Sequence, residues 1–553
     1  MKYSKRIIAY TFLLGAVISG CTKLKETLNG TLTNAQTANA LGSSGTSLLL
    51  KAAYADVAAP FGDVGELINL TGNAADESLV PTRAGDWDDN GAWRVMHNHS
   101  WNADLGSILA TFNNLNKINF DATNVLAFNP SATQAAEARF LRAYALYNLL
   151  DFFGQFPIRN PGDNLLNAPE VKSGAAAIDF IISELNAILA SAPAASSNLN
   201  YKANQDAVRF LLMRCYLNKG AFSNRTAPTF SDADMQQVIT LGTTLMNSGR
   251  YSYTTNYFDN FSADNQSKTR EGIWAYDNTS GVSANNLDVR SFWYRTLHYN
   301  SYTPKAPNAG WNGFATIAEF YNTFGISSTP VGGPDDTTLD MRIGGRYYKG
   351  VTDVSGLRPG LLINQQYDAN GAKLHYRGWQ ASDGPNAKLL IFNPIIAANM
   401  IETTPGLLEC TGIRVLKYTP DFANYDGSAG NDVIIFRFGE VPLMVAEAKM
   451  RLASPDNAGA LALVNALRAA RQAPALGSIV LVNPNNLYQT NTMLAERGRE
   501  MYYEWVRRTD LIRFGVFTKL WPYKPADDAK YILFPIPSQA LAANPNLVQN
   551  PGY

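Results

Sequence analysis

Capped amphipathic segments that follow one another closely constrain this chain more than any other feature. Ser131 with Gln134 three residues later forms a capping box, in which each side chain satisfies a backbone N–H of the other residue. It predicts a helix through Phe153, with Leu141, Tyr144, Leu149 and Phe152 near one face. A second helix is expected over about 175–190, burying Ile178, Ile181, Ile182, Leu185 and Leu189. A third, over 204–218, buries Val208, Leu211, Leu212 and Cys215, and Ser231 with Asp234 caps a fourth that ends near Gly249. Short connections make these antiparallel helix pairs of the tetratricopeptide kind, although the strict signature of that repeat is absent.

The pattern changes over 250–430, where glycine, asparagine, proline and tyrosine are dense. Only a short helix around 316–324 and strands at 412–418 and 433–438 are expected there. Helices resume at 440–452, 456–471 and 492–514. The chain thus reads as mainly α, with a helical scaffold over about 100–250 and 439–515. The scaffold carries a loop-rich insertion over 250–430 with a few short strands, and residues 530–553 form an extended strap. Long irregular insertions on a rigid scaffold are where function tends to sit.

The amino terminus sets the compartment. Lys2, Lys5 and Arg6 precede an apolar run over 7–18 that is too short to span a bilayer, so 1–20 reads as a secretory signal. It ends in Ile18-Ser19-Gly20-Cys21, where small residues admit a signal peptidase and the Cys21 thiol can carry lipid. Two or three acyl chains anchor firmly where one does not. Thr22 follows in place of an aspartate, which favours the outer membrane. Residues 21–47 read as a tether and 48–553 as a single domain. Equal numbers of basic and acidic residues, 46 each, argue against nucleic acid or a polybasic membrane surface as partner. With Cys21 assigned, Cys215 and Cys410 could form one bridge but no framework; a buried thiol is the default for Cys215.

Four segments carry a family resemblance. Glu137-Ala-Arg-Phe-Leu-Arg-Ala-Tyr with Phe152-Phe-Gly-Gln-Phe-Pro157 is the first. Arg437-Phe-Gly-Glu-Val-Pro-Leu-Met-Val-Ala-Glu-Ala448 with Val464-Asn-Ala-Leu-Arg468 is the second. Glu496-Arg-Gly-Arg-Glu-Met-Tyr-Tyr-Glu504 with Arg508-Thr-Asp-Leu-Ile-Arg-Phe-Gly515 is the third. The tail from Phe534-Pro-Ile-Pro537 through Asn544-Pro to Gln549-Asn-Pro-Gly-Tyr553 is the fourth. In this order, behind a lipobox, they resemble the SusD/RagB family of outer-membrane nutrient-binding lipoproteins. The resemblance implies a helical body of tetratricopeptide-like pairs with an irregular half. It also implies a cell-surface protein that captures glycans or other nutrients for a SusC-like TonB-dependent transporter, without a cofactor. The charged residues of these motifs have spacings that suit structural ion pairs better than catalysis.

A sugar offers a C–H face and a hydroxyl edge, so its site needs exposed aromatic rings with polar groups at the rim. Residues 76–102 contain Asp76, Glu77, Arg83, Trp87, Trp93, Trp101 and Asn102, and residues 290–311 contain Trp293, Tyr294, Tyr299, Tyr302 and Trp311. By order and spacing, the resemblance implies Asp76, Arg83, Trp101 and Asn102 as ligand contacts, with Tyr294 and Trp311 from the second stretch. The plain alternative is that these aromatics anchor loops to the body.

Two rival functions remain open. A surface glycoside hydrolase needs carboxylates about 5–9.5 Å apart, and no hydrolase, metalloprotease or nucleotide-binding motif occurs. Asp88-Asp89 and Asp335-Asp336 read as solvated loops or a weak calcium site, and His97 with His99 as a metal pair without a third ligand. The expectation is no catalytic residue, no metal and no cofactor. A helical-repeat scaffold that binds a protein or peptide in its groove is the other rival.

Overall fold

A computed structural model of the chain describes residues 34–197, 199–284, 286–301, 310–325, 340–344, 358–368, 372–425 and 427–553. The signal run, Cys21, Tyr302 and the Asp335-Asp336 pair lie outside the described residues. Among the described residues no helix is long and apolar enough to cross a membrane.

The scaffold consists of α1 (Asn34–Ala55), α2 (Gly106–Ala127), α3 (Ala132–Phe153), α4 (Gly174–Ile188), α5 (Gln205–Ser223), α6 (Asp232–Met246), α7 (Glu440–Arg451) and α8 (Asn457–Ala470). From α2 to α8 each helix packs on the next, so α6 and α7 are neighbours although the whole insertion separates them in sequence. The capping box forms as read: Ser131 Oγ accepts from the Gln134 N–H, and Gln134 Oε1 accepts from the Ser131 N–H. Gly154, at φ 70°, ends α3 in the left-handed conformation that glycine adopts without penalty. The helix α5 runs past Asn218 because Ala221 and Phe222 are also buried, and because Gly220 lets the Thr229 carbonyl pack where a Cβ would stand.

Two expectations need correction. The stretch read as tether is helical from Asn34, with a break at Gly42. Near its end Thr46 donates to the Phe128 carbonyl, and just beyond it Leu50 and Ala53 of the same helix are buried in the core. The helix expected over 492–514 is two, α9 (Met493–Met501) and α10 (Arg507–Arg513). Between them Tyr503 and Trp505 take φ of 58° and 64°. Tertiary bonds hold the break, for the Tyr502 carbonyl accepts from Lys417 Nζ at 2.6 Å and the Tyr503 N–H donates to Glu77 at 3.2 Å.

The insertion is closed at its base by an antiparallel pair, β1 (Gly272–Tyr276) with β2 (Val433–Arg437). The strand expected at 412–418 is Arg414–Leu416, paired with Gly360–Leu362. Beyond α10 the chain returns across the body, interrupted by a short helix over Ser538–Ala543. The Phe534 N–H donates to the Phe152 carbonyl, and Asn550 Nδ2 donates to Phe153 and Phe534 carbonyls. Cys215 and Cys410 are both free, buried thiols.

A large share of the charged motif residues is buried and mutually paired. Arg437 bonds Glu271, Glu500 and Glu504, each at 2.7 Å, and Arg471 bonds Glu271 and Glu500 at 2.8 Å. Arg342 joins from the insertion through Asp340, Glu496 and Glu500. On α3, Arg139 and Arg142 both pair with Glu184 of α4, while Glu137 accepts from the Tyr54 hydroxyl at 2.7 Å.

Candidate functional site

Where the first loop of the body meets the insertion, aromatic rings come to the surface in a row. Thr82–Arg83 pairs in parallel with Ile401–Glu402, and the following loop turns through left-handed residues, including Trp87 at φ 62°. A bulky residue there is held against its own preference by its surroundings. Trp87 Nε1 donates to the Trp311 carbonyl at 2.7 Å. Its ring stands edge-on to Trp93 at 5.1 Å and to Phe314 at 5.7 Å, while the Trp311 ring lies 6.4 Å away. Tyr294 follows on the far side of Trp311, at 5.4 Å and tilted by 33°. Trp93, Trp87, Trp311 and Tyr294 thus form one strip, in which Trp311 is 42% exposed.

A polar cluster borders the strip. Asp86, next to Trp87, accepts from the Tyr299 hydroxyl at 2.6 Å. The Arg377 guanidinium lies 3.8 Å above the Tyr299 ring and pairs with Glu409 at 2.5 Å and Asp86 at 3.4 Å, half in solvent. His298 is buried beneath it. Its Nδ1 accepts from the Asn300 N–H, so the proton sits on Nε2, which donates to Glu409 at 2.9 Å. Burial alone would raise the Glu409 pKa, but the hydrogen bonds from His298 and Arg377 outweigh it and bring it down to about 2. The rim therefore presents fixed donors and acceptors beside the rings.

The close fit of Trp87 depends on Gly313. A Cβ there would lie 2.5 Å from Trp87 Cζ2 and 3.0 Å from the Arg295 carbonyl. Gly313→Ala is expected to push the Trp87 indole aside at a cost of about 1–3 kcal/mol. The check is a changed near-ultraviolet circular dichroism with unchanged helix content.

The expected contacts divide sharply. Trp311 and Tyr294 are together on the strip. Asp76 is not at the surface: it is fully buried, and both its oxygens are taken by Arg507, at 2.6 and 2.8 Å. Arg83 is buried and donates to the Gly313 carbonyl at 2.7 Å and the Thr411 carbonyl at 3.0 Å, so it holds the Trp311-bearing segment from behind. Trp101 is 3% exposed, packs on Phe534 and donates to the Tyr553 hydroxyl at 2.7 Å. Asn102 is exposed beside it, with its oxygen on the Asp104 N–H. These placements correct the expectation for Asp76, Arg83 and Trp101, whose polar atoms and rings are consumed by the protein itself. Trp87, Trp93 and Tyr299 were named among the aromatics of these stretches but not chosen as contacts, and Asp86, Arg377 and Glu409 were not named. Trp87 and Tyr299 had a signal as aromatics in polar stretches; Arg377 and Glu409 had none.

The metal and hydrolase candidates are likewise engaged. His97 contacts the Ser78 and Pro522 carbonyls, and His99 contacts Asp527 and the Ala74 carbonyl. Asp88 pairs with Arg94, and Asp89 accepts from Trp93 Nε1.

The sequence pattern of the SusD family matches residues 246–530, more than half of the chain. The chain belongs to the SusD family. It is 26% identical over 472 residues to the starch-binding protein SusD of Bacteroides thetaiotaomicron, covering 78% of this chain and 75% of that protein. Its fold matches a SusD superfamily protein from Parabacteroides distasonis with a TM-score of 0.66 at 16% identity, covering 92% of this chain and 99% of the other. It also matches surface glycan-binding protein A from Bacteroides thetaiotaomicron, solved with laminarihexaose, with a TM-score of 0.64 at 15% identity and the same coverage. SusD-family proteins are non-catalytic binders, so this one is a binding protein and not an enzyme.

Proposed function

We propose that this SusD-family protein captures a glycan at the cell surface on the Trp93–Trp87–Trp311–Tyr294 strip and delivers it to a SusC-like TonB-dependent transporter. The observation that carries the reading is a row of rings, exposed at Trp311 and half-buried at Trp93, Trp87 and Tyr294, bordered by the Asp86–Arg377–Glu409 cluster. Rings take the C–H faces of sugars, and the fixed charges take their hydroxyls. The starch-binding and laminarihexaose-bound relatives support a glucan as ligand. Acylation of Cys21 would hold the body on the outer membrane facing outward, with the first residues of the mature chain as tether.

The test is affinity electrophoresis of the mature chain, as its Cys21→Ser variant, in gels containing starch, laminarin or other polysaccharides. Retardation by at least one glucan is expected. Free migration in all of them, together with capture of a peptide in the helical groove, would replace this reading with the scaffold one. Arg377→Ala should weaken retardation by about 1.5–3 kcal/mol, the worth of a hydrogen bond to a charged group. Pull-down of a TonB-dependent transporter by the Trp311→Ala variant, as well as by the parent, would separate delivery from capture.

A further inference from the structure

The exposed ring of Trp311 and the charged rim at Glu409 come from two separate loops, and one buried side chain joins them. Arg414, on the strand Arg414–Leu416, is fully buried. Its Nη2 donates to Asn312 Oδ1 at 2.7 Å, next to Trp311, and to the Glu409 carbonyl at 3.0 Å. Asn312 is itself buried and left-handed, at φ 54°. Asparagine tolerates that conformation, and the bond to its side chain fixes the turn that presents the Trp311 ring. Arg83 adds a second bridge between the same two loops, to the Gly313 and Thr411 carbonyls.

This junction destabilises the fold it sits in. Among the described residues no carboxylate pairs with Arg414, and its Nε and Nη1 have no hydrogen-bond partner. Burial pulls its pKa down to about 10. Burial acts in the same direction on Arg437, yet Glu504, Glu271 and Glu500 raise that residue's pKa above its ordinary value. Arg83 also lies close enough to Arg414 for the two like charges to repel. A buried cation served by one amide and one carbonyl costs more than an apolar side chain of similar volume. Its guanidinium lies 4.9 Å from the centre of the Phe392 ring, a contact that a thioether makes as well. Packing therefore does not account for the charge, whereas the two hydrogen bonds do.

We infer that Arg414 is a positioning residue of the glycan site: by holding Asn312 and Glu409 together it keeps Trp311 turned outward beside the charged rim before any ligand arrives. The inference rests on the function proposed above for the strip. Apparent affinity falls in proportion to the fraction of molecules whose site is assembled, so a loosened turn weakens binding with every ligand contact still present.

Arg414→Met keeps the bulk and the Phe392 contact but removes both hydrogen bonds. It should weaken binding in starch or laminarin gels at least fivefold, with a thermal midpoint at or above that of the parent. Asn312→Gly keeps the left-handed turn and loses only the acceptor, and should give the same loss. Asn312→Asp restores an acceptor, supplies Arg414 with a counter-ion, and should bind within twofold of the parent. In glycan-free protein labelled with fluorotryptophan, the fluorine line absent from Trp311→Phe identifies Trp311. That line should shift or broaden in Arg414→Met and Asn312→Gly and return in Asn312→Asp. Binding that falls only together with the midpoint, or a Trp311 line unchanged in both Arg414→Met and Asn312→Gly, overturns the inference. If no glucan retards the parent, the functional reading falls, and the fluorine line alone decides whether Arg414 positions Trp311.

Discussion

Trp311→Ala is expected to abolish detectable retention of the protein in glucan gels while leaving its fold unchanged. Trp311 is the most exposed ring of the strip and stands between Trp87 and Tyr294, so removing it cuts the row at its centre. Central aromatic anchors are worth about 2–4 kcal/mol when truncated, which is roughly 30-fold or more in affinity. The fold should survive because the other role of this residue is played by its backbone: the carbonyl that accepts from Trp87 Nε1 is untouched by the change. Trp101→Ala gives the contrasting result. That ring is interior, and its loss should cost about 3–5 kcal/mol of stability and loosen the segment that ends at Tyr553. Equal retention of the Trp311→Ala variant and the parent would remove the strip as the binding surface.

The contrast between these two tryptophans shows what a sequence displays and what it conceals. Helices with local causes were legible: the Ser131–Gln134 box, the Ser231 cap and the apolar periodicity of α4 all act within a few residues. That Trp311 and Tyr294 lie side by side with Trp311 exposed agrees with their choice as large rings in a polar, glycine-rich stretch. Asp76, Arg83 and Trp101 were misread because their partners are Arg507, Thr411 and Tyr553, hundreds of residues away, and residue type does not reveal such a partner. Arg377 was missed for the same reason, since the Tyr299 ring and Glu409 carboxylate that fix it come from other loops. The break at Tyr502–Val506 was hidden because Lys417 and Glu77, outside the helix, impose it.

Arg437→Ala should lose about 3–5 kcal/mol of stability, seen as a thermal midpoint lower by at least a few degrees. Arg437 ends β2 at the base of the insertion, and its guanidinium is shared by Glu271, beside β1, and Glu500, on α9. Removing it leaves three buried carboxylates with fewer cations, and an uncompensated buried charge costs more than the pair itself contributes. The surroundings leave no slack, for a Cβ on Gly439 would lie 2.6 Å from Glu500 Oε1. Burial would raise the Glu500 pKa, yet Arg471, Arg437 and Arg342 together hold it at about 2. Glu440 and Glu447 are held at about 2 by their own arginines against the same effect. A carboxylate depressed on folding contributes stability that is complete above its unfolded pKa, near 4.3, and is lost as pH falls through its folded value. The part of the parent's stability that these three carboxylates supply should therefore be lost below about pH 4.5. The Arg437→Ala variant, with Glu500 less depressed, should show a smaller acid loss that is complete at higher pH. A midpoint and an acid profile identical to the parent would mean that these ions balance no more than their own desolvation, and that apolar packing alone joins the insertion to the scaffold.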